Sequence, residues 1–66
     1  MENNPEYKKH LDIIKREIPY VDIKPYSHNI ISLRLRLIGE QFGDEYANKI
    51  ITDYELDKLG WWVKGD

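Results

Sequence analysis

Apolar and polar positions recur along this chain with two different periods, and the choice between them decides the fold. Tyr7, Leu11, Ile14 and Ile18 are spaced by four, three and four residues, with Ile13 widening the row. That is the period of an amphipathic helix. Asn4 offers a side-chain oxygen as N-cap, Pro5 suits the first helical position, and Glu6 complements the positive end of the helix dipole. Lys8, Lys9, Asp12, Lys15, Arg16 and Glu17 supply the solvated sides. Their mixed signs argue against a membrane-surface helix, which carries a basic excess. Pro19 ends the pattern, because the residue before proline is pushed away from helical geometry. A helix over residues 5–18 is predicted.

Pro19 and Pro25 then fall within seven positions, which breaks any long helix there. Val21 and Ile23 alternate with Asp22 and Lys24, so an extended connection is expected. Tyr20 and Tyr26 are amphipathic anchors, each able to bury a ring while its hydroxyl stays wet.

The ambiguous stretch is "ISLRLRLIGEQFGDE", residues 31–45. Residues 31–37 alternate as in a half-buried strand. Pairing them with residues 21–24 across "PYSHN" would give an α-β-β-α arrangement with a hairpin at residues 20–38. The helical alternative explains more. Ile30, Ile31, Leu33, Leu35, Leu37, Ile38 and Phe42 occupy an arc of roughly 200° at 100° per residue. Ile38 and Phe42 continue the set beyond the alternating section, where a strand has no account of Phe42. A helix at 28–42, capped by Ser27, is predicted. Its arc is too wide for one neighbour, so it should be the central helix of a bundle.

Gly43 suits a positive-φ turn. Tyr46, Ala47, Ile50, Ile51 and Tyr54 follow at helical spacing, giving a helix at 44–52. A further short helix at 53–59 is expected, capped by Thr52 or Asp53, with Leu56 and Leu59 inward and Gly60 as terminator. The fold class is therefore mainly α: one domain over residues 1–66, a compact bundle of three or four short helices.

Composition narrows the chemistry. The chain has 66 residues, no cysteine and a formal net charge of −2. Disulfides and thiolate-ligated metals are excluded. A reducing cytoplasm is expected. No apolar run is long enough for a signal h-region or a membrane span. Residues 44–66 carry six acids against Lys49, Lys58 and Lys64. Such a bias repels nucleic-acid backbones and suits a basic protein surface.

Arg34 is the most informative polar residue. On the helical reading it lies inside the apolar arc, where a bare guanidinium is very costly. It must snorkel, pair with a carboxylate, or engage a partner. Gln41 points in nearly the same direction. Of the adjacent Trp61 and Trp62, one is expected to cap the bundle and the other to serve an interface. Arg34, Gln41, Tyr26, Trp61 and Trp62 are the partner-binding candidates.

Other classes find little support. "LIGEQFGDEYANKII" has the order of a helix-turn-helix, but its second helix opens with Asp44 and Glu45. Only Asn48 and Lys49 would face DNA. His10 has no ligand-spaced partner on its face, and His28 sits in a turn. Ser27 beside His28 is no nucleophile–base pair by adjacency alone. Asp53, Glu55 and Asp57 alternate without a calcium-loop pattern. No catalytic, cofactor-binding or metal-ligating set is expected. The function predicted is non-catalytic protein binding, as an adaptor, inhibitor or self-associating protein. The alternatives are a weak helix-turn-helix DNA binder and a structural subunit of a larger assembly.

Overall fold

A computed structural model describes residues 3–63. It contains three helices: α1 (Pro5–Glu17), α2 (Pro25–Phe42) and α3 (Asp44–Asp53). Two 3₁₀ turns, Ile18–Tyr20 and Leu56–Leu59, complete it, and no strand occurs among the described residues. The α-β-β-α alternative is overturned, because one continuous helix runs through the alternating segment. A strand would bury Leu33 alongside Leu35. Instead Ile31, Leu35 and Ile38 are buried and Leu33 is 51% exposed.

The start of α1 follows from its sequence. Asn4 Oδ1 accepts from the N–H groups of Glu6 at 2.9 Å and Tyr7 at 3.2 Å, satisfying two of the donors a helix start leaves open. Tyr7, His10 and Ile14 form its buried face.

The connection after α1 is wound, not extended as expected. Val21 is helical at φ −55°, ψ −40°. The N–H groups of Ile23 and Lys24 both donate to the Tyr20 carbonyl, at 2.9 and 2.8 Å. Ile18, before Pro19, keeps helical angles at φ −51°, ψ −47°, so the expected shift away from helical geometry does not occur there. The α-helix instead tightens into a 3₁₀ turn whose shorter-range bonds satisfy the backbone. Lys24, before Pro25, is extended at φ −108°, ψ 125°.

Helix α2 starts at Pro25, earlier than the predicted residue 28. Proline at the first helical position lacks only an N–H that would have no helical acceptor. Ser27 is therefore not the cap. It sits fully buried in the first turn and donates its hydroxyl to Glu17 Oε1 at 2.9 Å.

As expected of a central helix, α2 packs on both α1 and α3. Gly43 alone joins it to α3, at φ 113°, ψ 149°. Only glycine adopts that conformation readily. Ala47, Ile50 and Ile51 are the buried face of α3. At one end, the Tyr7 ring meets Phe42 and Tyr46 edge-on, with centroids 5.6 and 6.1 Å away. One aromatic cluster thus holds all three helices together.

The predicted fourth helix is a single 3₁₀ turn. Glu55 adopts φ 55°, ψ 37°, which breaks the path after α3, and no side chain caps the turn. Leu56 is fully buried and Leu59 half-buried, as their pattern predicts. Gly60 ends the turn at φ 116°.

Candidate interaction surfaces

The residues after Gly60 pack back onto α2. The Trp61 indole N–H donates to Ser32 Oγ at 3.0 Å. Its ring stacks on His28, with centroids 4.1 Å apart and planes 16° apart. Adjacent side chains diverge, so Trp62 faces away and is 79% exposed. Trp62 stands between two shallow grooves. One, of about 290 Å³, runs between α2 and α3 past Leu35, Ala47 and Ile51 to Trp61, with Arg36 and Asn48 at its polar edge. The other, of about 360 Å³, lies on the far side, bounded by Ile51, Glu55, Asp57 and Val63. Ile51 and Trp62 line both.

Charges edge these grooves. Lys58 donates to Glu55 at 2.9 Å, and this contact raises the lysine pKa above its ordinary value. Arg36 donates to Glu40 at 3.1 Å. These exposed pairs contribute little to stability.

A second apolar surface runs along α2. Tyr26 is 73% exposed and Leu33 51% exposed, while Ile30 and Leu37 are half-buried. With the exposed Gln41, these positions are spaced by four, three, four and four residues and so share one side of the helix. Tyr20 and Tyr26 do not bury their rings as anticipated. Tyr20 is 40% exposed, and the Lys24 ammonium lies 4.4 Å above its ring.

Arg34 resolves its burial by a route absent from the sequence-level alternatives. Its Nη1 lies 3.2 Å from His10 Nδ1 across the α1–α2 interface. A guanidinium only donates, so Nδ1 must accept, and the imidazole proton is assigned to Nε2. His10 is 4% exposed, and its Nε2 and Arg34 Nε have no hydrogen-bond partner among the described residues. Glu6 Oε2 is 3.8 Å from Nε2, beyond hydrogen-bond reach. Glu6 lies one turn earlier on the same helix, and it is the burial of His10 that was not foreseen from the sequence. The signal was legible: His10 is three residues from Tyr7 and four from Ile14, inside the apolar row.

Half-buried Glu17, which accepts from the buried Ser27 hydroxyl, forms the other polar junction between α1 and α2. Ser27, then Arg16, hold its carboxyl below the usual glutamate range, against the opposing effect of burial. Asn48 is half-buried on α3, and Lys49 pairs with Asp53 at 3.9 Å. The α2–Gly43–α3 turn therefore presents Asp44 and Glu45, not a basic patch, at the start of its second helix.

The candidate residues thus separate. Tyr26 and Gln41 lie along the outer side of α2, Trp61 and Trp62 at the grooves, and Arg34 between α1 and α2. Among the described residues no group of acids and histidines is placed to hold a metal ion. No helix there is long and apolar enough to cross a membrane. Neither a protein-family model, nor a curated protein, nor a solved structure matches this chain.

Proposed function

We propose that the protein is a non-catalytic interaction module whose Trp62-centred surface docks on a partner protein. One observation carries this reading: a tryptophan 79% exposed between two grooves with apolar floors. Holding a ring of that size in water sacrifices its transfer free energy, which docking recovers. Tryptophan is also a frequent energetic anchor of interfaces. Glu55 and Asp57 share the rim with Lys58, so the partner surface it fits is of mixed charge. The site acts by occlusion or scaffolding, in a reducing cytoplasm suited to a cysteine-free chain.

The test compares full-length protein with Trp62→Ala as immobilised baits, after circular dichroism has verified equal helicity. Partners retained by the parent and lost with Trp62→Ala support the reading. An identical set of retained proteins on both baits overturns it.

A further inference from the structure

The outer side of α2 is a second surface, separate from Trp62, and its pattern identifies what covers it. Tyr26, Ile30, Leu33, Leu37 and Gln41 form a narrow row along an 18-residue helix. The spacing is that of a helix–helix seam. We propose that this row is the seam of an antiparallel dimer, in which α2 packs against α2 of a second copy.

Two features favour a second copy over another partner. The first is self-complementarity, which a two-fold interface requires. A two-fold axis between Leu33 and Arg34 sets Ile30 opposite Leu37 and brings the two Leu33 side chains together, while each Arg34 is turned to His10 of its own copy. It also sets Tyr26 opposite Gln41, so that the phenol hydroxyl meets a side-chain amide at each end.

The second is charge. Helix α2 has no acid in its first turn and no base in its last. Lys24 instead stands at its amino end and Glu40 near its carboxy end, where each opposes the helix dipole. Glu40 accepts from Arg36 one turn earlier, which offsets its charge only in part. Antiparallel pairing brings the carboxy end of one α2, with Glu40, beside the amino end of the other, with Lys24. The unfavourable ends then compensate each other. A parallel pair would set like ends together.

The test is sedimentation equilibrium of the full chain over a concentration series, alongside Leu33→Glu and Trp62→Ala. The parent mass should rise from 7.9 kDa toward twice that value. Leu33→Glu should stay monomeric with unchanged helicity, because Leu33 is half in water already. Trp62→Ala should dimerise like the parent. A parent that stays monomeric throughout overturns the proposal. So does a Leu33→Glu protein that still dimerises, or a dimer lost with Trp62→Ala instead.

Direction is tested by oxidative cross-linking in the cysteine-free background. Residues 26 and 41 lie about 22 Å apart along the helix. Tyr26→Cys mixed with Gln41→Cys should therefore cross-link, and Tyr26→Cys alone should not. Cross-linking of Tyr26→Cys to itself, in preference to the mixture, overturns the antiparallel seam. Failure of this seam leaves the Trp62 docking reading intact, and the reverse also holds.

Discussion

His10 and Arg34 show how a half-buried charge is accommodated at the edge of a small core. The guanidinium finds a neutral imidazole as acceptor, so no second charge is desolvated with it. Removing one member strands the other. Arg34→Met should destabilise the fold by about 1–3 kcal/mol, the cost of leaving a buried polar atom unpaired. His10→Phe should also destabilise. The double variant should lose less than the two single losses combined, since apolar groups then meet each other. Urea unfolding of the four proteins measures the coupling, and strict additivity would contradict the contact.

The Ser27–Glu17 bond gives a residue-scale pH dependence with a definite sign. Folding lowers the Glu17 pKa from its ordinary 4.5. Its stabilisation is therefore fully present above the unfolded value and is lost as pH falls through the lower folded value. Ser27→Ala removes the largest cause of that shift. Its thermal midpoint should fall less steeply than the parent's as the solution is acidified through and below 4.5.

At the scale of elements, boundaries depend on single residues with identifiable roles. Asn4→Ala removes both cap bonds at the start of α1 and should cost about 1 kcal/mol in chemical denaturation. Gly43→Ala should cost about 1–3 kcal/mol, because a side chain is strained at φ 113°. Both sites were legible from local rules, a capping residue and a glycine between two helical patterns. The start of α2 was less so. Pro25 and Ser27 are both good helix starters, and the choice turned on Ser27 finding Glu17 across the fold. The lost fourth helix has a similar origin. Its apolar spacing was right, but burying Leu56 coincides with a left-handed backbone at Glu55 that local propensity disfavours.

For the whole molecule, closure depends on the chain end returning to α2. Trp61 ties it there through Ser32 and His28. Trp61→Phe should lower stability by about 1 kcal/mol through loss of the indole hydrogen bond. The two tryptophans are also separable reporters. Iodide should quench Trp62 in a Trp61→Phe protein strongly and Trp61 in a Trp62→Phe protein weakly. Equal quenching would contradict the docked geometry. The sequence anticipated that these neighbours diverge, because adjacent side chains rarely share a direction. Which one packed could not be read locally, since the two side chains are identical and neither neighbour, Gly60 or Val63, sets which way they turn. The answer required the position of Ser32, 29 residues away.

By itself, the sequence determined the helical class, the central role of α2, the α1 cap, the Gly43 break and the inward row of α3. Each rests on periodicity or backbone preference within a few residues, and such signals survive without knowledge of the fold. Only the tertiary structure decided that Arg34 pairs with His10, that Ser27 binds Glu17, that Trp61 packs while Trp62 stays in water, and that Tyr26, Leu33 and Gln41 on α2 stay exposed. Those outcomes depend on which surfaces meet across 10, 24 or 29 residues of chain. A buried polar group must find its partner wherever the packing brings one, and no local pattern encodes that meeting.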